Sequence, residues 1–349
     1  MIDNQKIAVG ILFGGKSAEH EVSLLSAKNI YDAIDRNRFE PVLIGIDKSG
    51  KWLLSDASRF LLNAGDPRNI SLNPEGSPTA LIPASEGSLS NAASKLDVVF
   101  PILHGPFGED GTVQGLLKLA GVPFVGPDVL GSAVGMDKDV MKRLFRDAGI
   151  PIGKFLALRS HNTIPPFAEI TAALGNPVFV KPANMGSSVG LSKVRNEAEF
   201  SAAVNEAFRH DSKIVIEECI AGREIECAVL GNDAPIASVP GEVIPTHEFY
   251  SYEAKYFDEN GASLEIPAQL DDKTRKRIQE LSIQAFQTLC CEGLSRIDFF
   301  LKENGEVLIN EINTMPGFTK NSMYPKLWEA SGIGYTDLIS RLIELAMEQ

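Results

Sequence analysis

Apolar positions along this chain follow two periods, and the segments they mark alternate between strand and helix. Near the start, KIAVGILF is an uninterrupted apolar run of strand length, GGKSAEHE is a turn, and VSLLSAKNIYDAI carries apolar residues at helical spacing. LDVVFPILHG, ending at His104-Gly105, repeats the buried-strand pattern. Strand, glycine turn and helix in succession predict an open parallel sheet whose ligands gather at the carboxyl ends of its strands. Glu19 and His104 both fall at such ends. The polar, proline-containing stretch from Asn63 to Ser94 reads as an irregular insertion without internal repeat.

Past VGPDVLGSAVG the texture changes. Met136 to Ala148 predicts a short charged helix stopped by Gly149-Ile150-Pro151, and a domain boundary falls near it. PVFVKP and VGLSKV read as strands joined by a loop of small residues, followed by a helix from Glu197 to Arg209. KIVIEECI and REIECAVL form a strand pair across Ala221-Gly222. A long loop holding Tyr250 to Asp258, a helix from Asp272 to Cys290 and a closing helix from Tyr335 follow. Hairpins flanked by helices make an α+β arrangement unlike the first domain.

The densest chemistry lies between Arg296 and Asn313. RIDFFL and VLINEI are strands separated by KENGE, which centres on Asn304-Gly305, a strong hairpin signal. With those two as the turn, Glu303 faces Glu306, Asp298 faces Glu311 and Arg296 faces Asn313, all four of the last on one face. Ile297, Phe299, Leu301, Leu308 and Ile312 are assigned to the core face, which fixes the register. Carboxylates at cross-strand positions, with Cβ atoms only ~4.5–5.5 Å apart, destabilise a sheet unless a positive charge lies between them. Two carboxylates and an amide oxygen suit Mg²⁺, which leaves its other positions to water and phosphates. The plainer alternative is a solvated face with Arg296 neutralising one acid.

A chain of 349 residues is long enough for two or three domains, and its net charge of -13 opposes nucleic-acid and anionic-membrane binding. An anionic substrate must therefore meet local clusters of Lys and Arg. Cys219, Cys227, Cys290 and Cys291 form no C-x-x-C pair, which disfavours a zinc site or disulfide framework and fits a reducing cytosol. The apolar run from Ile7 to Phe13 is too short for a signal segment and no later run approaches a membrane span, so the expectation is a cytoplasmic protein.

Lys181 to Gly190 joins two strands, and its small residues let backbone N–H groups approach phosphate oxygens while Lys181 adds a charge; an ordinary flexible loop is the alternative. Lys138 opens its helix and, taken alone, reads as solvated. Glu217 and Glu224 bracket the turn at Ala221-Gly222, where a nucleotide could lie. Gly10 to Ser17 matches G-x-x-x-x-G-K-S, but Ile11, Leu12 and Phe13 continue the strand and leave no exposed amides to cradle a phosphate.

Together these segments resemble the D-alanine:D-alanine ligases of the ATP-grasp superfamily over essentially the full chain. The resemblance rests on GGKSAEHEVS at 14 to 23, LHGPFGEDGTVQG at 103 to 115, MDK at 136 to 138, VKPANMGSSVG at 180 to 190, EAKY at 253 to 256, SRID at 295 to 298 and NEINTMPGFTKNSMYP at 310 to 325. It implies an α/β N-terminal open parallel sheet, pre-ATP-grasp and Rossmann-like, over 1–135, followed by α+β ATP-grasp subdomains over 136–222 and 223–349. A homodimer formed through the N-terminal domain is also implied.

The implied reaction joins two D-alanines at the expense of ATP. Asp298, Glu311 and Asn313 would hold two Mg²⁺ ions, with Mn²⁺ as a substitute. Lys138, Lys181, Ser188 and Asn310 would serve the phosphate side, and Glu217, Glu218, Ile220 and Glu224 the adenosine. Glu19 would bind the first substrate's ammonium and orient Ser187 and Tyr256, with His104 against the same substrate. Arg296 and the Gly317 N–H would stabilise the oxyanion; Lys255, Ser322 and Met323 would fix the second substrate. Related ligases that prefer D-lactate depart from EAKY, whereas Tyr256 is kept here. A D-alanine:D-lactate ligase is the nearest rival reading, ahead of a silent ATP-binding sensor and a kinase.

Overall fold

The computed structural model describes residues 6–56, 58–66, 69–83, 85–90, 95–245 and 262–348. In the first sheet, Ile7–Gly14 runs parallel to both Phe39–Ile46 and Val98–Ile102. The helix His20–Ala33 crosses over between the first two of these strands. The sheet is not parallel throughout, because Trp52–Ser55 pairs antiparallel with Phe39–Ile46 and Ser77–Pro78 extends that edge. A short turn enforces this reversal. Asp47 accepts from the N–H groups of Ser49 (2.8 Å) and Lys51 (3.0 Å), and a connection that tight cannot carry a parallel crossover. Gly10 to Phe13 lie inside the first strand, with Ile11, Leu12 and Phe13 buried, so the phosphate-loop pattern there is only a coincidence of letters.

The second sheet is antiparallel, in the order Ser192–Val194, Val178–Pro182, Lys213–Glu218, Phe155–Arg159. The helices Phe167–Leu174 and Glu197–His210 cover one face through Phe167, Phe200 and Val204. The third orders Ala262–Glu265, Gly241–Pro245, Arg223–Gly231, Gly293–Leu301 and Val307–Asn313, again antiparallel. Asp272–Thr288 and Lys138–Asp147 pack on it through Ile278, Phe286, Met141 and Phe145.

Two sequence expectations are corrected here. KIVIEECI and REIECAVL are not a hairpin: Lys213–Glu218 belongs to the second sheet and Arg223–Gly231 to the third. The chain passes between sheets at Gly222, where a Cβ would meet the Leu301 carbonyl oxygen at 2.7 Å, so only glycine lets the strand start there. The metal hairpin also turns differently. Its loop has a third residue, Glu303, since Lys302 pairs with Glu306 and Gly305 N–H donates to the Lys302 carbonyl at 2.9 Å. That shift would set Asp298 against Asn310, but a β-bulge at Asn310 takes up the extra residue and restores Asp298 opposite Glu311 and Arg296 opposite Asn313. Beyond the bulge the faces exchange. Val307 and Ile309 join Ile297, Phe299 and Ile312 in the core, while Leu308 pairs with Phe300 on the opposite face.

Of the last two helices, Met323–Ala330 lies on the third-sheet strand Arg223–Gly231, where Tyr324 donates to the Val229 carbonyl at 3.0 Å, and Tyr335–Met347 reaches the first sheet. Trp328, Ile339 and Leu342 share a core with Val9, Ile11 and Phe100, and Phe318 meets Phe100 edge-on at 5.6 Å. The first helix grips the returning segment: Phe318 N–H donates to Ser26 Oγ (3.1 Å) and Asn29 donates to the Phe318 carbonyl (3.2 Å). This brings Met315 beside His104, whose Nδ1 meets its carbonyl. No helix among the described residues is long and apolar enough to cross a membrane.

Candidate active site

Where the three sheets meet there is a cavity of about 1400 Å³, lined on one side by Glu19 and His104 and on the other by Asp298, Glu311 and Asn313. Asp298 and Glu311 stand directly opposite each other in the register, which puts both on the same side of the hairpin. Arg296 closes a two-pronged ion pair on Asp298, with both contacts at 2.7 Å, and its Nε also lies 2.8 Å from Glu226. Asn313 Nδ2 donates to Asp298 at 3.0 Å, and Lys138 Nζ stands 3.9 Å from Glu311. These cations let the acids share one face. The donor chemistry fits a hard divalent ion. Two carboxylates with one amide match an ion that takes few protein ligands.

Lysines supply the opposite charge. Asp137 caps the helix Lys138–Asp147, accepting from Asp139 and Val140 N–H at 3.1 Å, and its carboxylate also takes Lys213 Nζ at 2.5 Å. This double anchor fixes Lys138, whose Nζ donates to the Met185 carbonyl at 2.7 Å. Burial pushes the Lys138 pKa down against the pull of Glu311. Glu217 sits between Lys181 (2.7 Å) and Lys142 (2.9 Å). Burial opposes its ionisation, yet the two ammonium groups more than offset that and hold its pKa at about 2. Glu218 accepts from Lys154 N–H at 2.7 Å, Ile220 packs over Gly153, and Glu224 lines the cavity from the strand facing Phe300. The Asn310 carbonyl accepts from Lys142 at 3.2 Å.

Ser187 and Ser188 both adopt left-handed backbone, φ +48° and +61°, in the loop after Lys181. Ser187 Oγ donates to the Glu19 carboxylate in a very short contact. His104 Nδ1 meets the Met315 carbonyl at 3.1 Å, and its Nε2 is buried with no hydrogen-bond partner among the described residues. Burial pushes the imidazole pKa down, outweighing the nearby Glu19 carboxylate. At the far end, a Cβ on Gly317 would meet Ser322 Oγ at 2.9 Å, and that hydroxyl accepts from Thr319 N–H at 3.0 Å. Met323 begins the following helix and lines the cavity. Lys255 and Tyr256 lie outside the described residues.

The sequence reading missed three charged residues at this site. Glu109 faces the cavity, accepts from Gly105 N–H at 2.6 Å, and has its pKa raised well above the usual carboxylate range by burial and then by Glu19. It sits inside HGPFGEDG, whose polar residues follow a buried strand end. Lys142 is one helical turn beyond Lys138, and Glu226 is two positions from Glu224 on a strand; helical and strand periods alone could have pointed to both.

A mixed sheet with a parallel centre, followed by two antiparallel sheets that enclose a cavity lined with lysines and carboxylates, defines an ATP-grasp enzyme. The family model described as D-ala D-ala ligase N-terminus matches residues 8–127, and that described as D-ala D-ala ligase C-terminus matches residues 144–344. The chain is 58% identical to a D-alanine--D-alanine ligase of Shouchella clausii, covering 99% of this chain and 95% of that one. It is 56% identical to D-alanine--D-alanine ligase A of Escherichia coli strain K12, covering 99% and 97%. Among solved structures, the D-alanine-D-alanine ligase from Coxiella burnetii superposes with TM-score 0.88 at 39% identity over 98% of this chain and 94% of that one. The VanG D-Ala:D-Ser ligase from Enterococcus faecalis gives TM-score 0.87 at 38% identity over 98% and 100%. The chain belongs to the D-alanine–D-alanine ligase family.

Proposed function

We propose that the protein joins two molecules of D-alanine, with ATP converted to ADP and phosphate, and that it supplies peptidoglycan precursors in the cytoplasm. The observation that carries this reading is the opposition across one cavity of a metal-type carboxylate pair, Asp298 and Glu311, and an ammonium-type acceptor, Glu19, tied to Ser187.

Lys138 and Lys181 hold the phosphates of ATP, with the Ser187-Ser188 loop above them; Glu217, Glu218, Ile220 and Glu224 face the adenosine. Asp298, Glu311 and Asn313 would hold Mg²⁺, or Mn²⁺ in its place, and a bound divalent ion there supplies charge neutralisation to the transferring phosphoryl group. Glu19 and His104 orient the first D-alanine so that its carboxylate oxygen takes the γ-phosphoryl group as ADP departs. This makes an acyl phosphate with a good leaving group. Lys255, Ser322 and Met323 position the second D-alanine, whose amine attacks the acyl carbon while phosphate leaves. Arg296 and the Gly317 N–H face the oxyanion, an interaction worth roughly 2.7–4 kcal/mol per donor in other acyl transfers. Ser187 and Tyr256 form the proton route from the amine.

The reading includes a division near residues 135 and 222 and a homodimer formed through the first sheet's domain, which sedimentation can test. The deciding experiment measures phosphate release from ATP with D-alanine, with L-alanine, and with D-alanine plus D-lactate. Release with D-alanine alone, with a D-alanyl-D-alanine product formed in step, supports the proposal; release that appears only with D-lactate, or with no dipeptide formed, overturns it.

A further inference from the structure

Lys142 is a buried cation that the proposed chemistry does not use. It lies one helical turn past Lys138, and its ammonium group makes two contacts to different parts of the fold: Glu217 of the second sheet at 2.9 Å and the Asn310 carbonyl of the third at 3.2 Å. It shares the neutralisation of Glu217 with Lys181, which stands 2.7 Å from the other carboxylate oxygen. A buried ion pair is in any case weak support for stability, because desolvation offsets much of the attraction. The second contact is the distinctive one. Asn310 is the extra residue of the bulge that returns Asp298 and Glu311 to opposite positions, and bulges re-aim the side chains beside them.

We infer that Lys142 is a positioning residue that sets the direction of Glu311 by holding the carbonyl of the bulged Asn310, and through Glu217 ties that bulge to the nucleotide side of the cavity. The inference rests on the proposed metal and nucleotide roles of Glu311 and Glu217. Lys142 is not among the residues that line the cavity. It acts from behind the hairpin, as outer groups do around metal sites, where their loss weakens binding without removing a ligand.

The test compares wild type, Lys142→Met and Lys142→Arg, each saturated with a non-hydrolysable ATP analogue, by titrating Mn²⁺ and following the free ion by electron paramagnetic resonance. Lys142→Met weakens Mn²⁺ binding about 10–100-fold and raises the Mg²⁺ needed for turnover in step, while KM for D-alanine stays within about twofold. Lys142→Arg, which keeps the charge and a donor, recovers most of the affinity. Unchanged Mn²⁺ affinity in a folded Lys142→Met overturns the inference. If that variant fails to fold, Glu217→Gln with and without Lys142→Met makes the same comparison with no unpaired carboxylate left buried, and equal affinities there overturn it. Wild-type protein that releases no phosphate with D-alanine overturns the functional reading, while the Mn²⁺ affinities judge Lys142 independently.

Discussion

Ser187 Oγ donates to the carboxylate of Glu19 across 168 residues of sequence, joining the loop of the second sheet to the turn that opens the first helix. The contact closes the cavity between two units that share no strand. Ser187 sits at φ +48°, a conformation a non-glycine residue adopts only when its surroundings over-determine it, and the bond to Glu19 is one such constraint. Ser187→Ala removes the bond with little loss of volume. We expect kcat/KM for D-alanine to fall by about 10²-fold or more, in line with loss of a positioned proton-transfer group, with nucleotide-analogue affinity reduced far less. Equal losses in both would make the loop a phosphate clamp alone.

Glu311→Gln keeps the shape of the side chain and removes one of the two facing charges. Turnover should drop about 10²–10³-fold, the usual cost of deleting one electrostatic stabiliser, and Mg²⁺ should no longer saturate in the ordinary range. Chelation of divalent ions should abolish wild-type activity, and added Mg²⁺ should restore it. Unaltered activity in the variant would remove the metal assignment.

The facing of Asp298 and Glu311 was legible from the sequence for a reason only partly correct. A two-residue turn set Asp298 against Glu311; the turn holds three residues, and the bulge at Asn310 cancels the error. Bulges depend on what the other face must pack against, here Val307 and Ile309 in the core, and a single strand's alternation does not reveal them. Local signals gave the strand Ile7–Gly14 and the helices at His20 and Lys138, because each has a period or a cap of its own. The split of KIVIEECI from REIECAVL was invisible, since both runs are apolar and only tertiary pairing decides which sheet each joins. Glu109 was missed because its significance lies in burial beside Glu19, which no spacing reports.

The Glu109 carboxyl carries a pH signature. Its pKa is raised on folding, first by burial and then by Glu19, so the folded chain holds this proton more tightly than the unfolded one. The contribution is fully present below the ordinary glutamate value of about 4.3 and is lost as pH climbs through the raised value, each tenfold gain in proton affinity being worth about 1.4 kcal/mol. Glu109→Gln keeps an acceptor for Gly105 N–H and cannot ionise. Its melting temperature relative to wild type should therefore rise steadily from about pH 4.3 toward neutrality. A gap that does not change with pH would show that Glu109 ionises as freely in the fold as out of it.

Gly305 isolates backbone strain from packing. Its φ is +82°, and no atom lies within 4 Å of where a Cβ would stand, so Gly305→Ala meets no clash and bears only the strain of the left-handed conformation. That cost is about 1–2 kcal/mol for an L-residue. The strain acts at the loop, and the bulge at Asn310 lies between it and Asp298 and Glu311, where it can absorb a small displacement. Denaturant unfolding should record a loss of about 1 kcal/mol, while kcat at low temperature and the Mg²⁺ requirement stay at wild-type values. Loss of Mg²⁺ affinity in step with stability would mean that the turn, rather than the bulge, sets the register of the two acids.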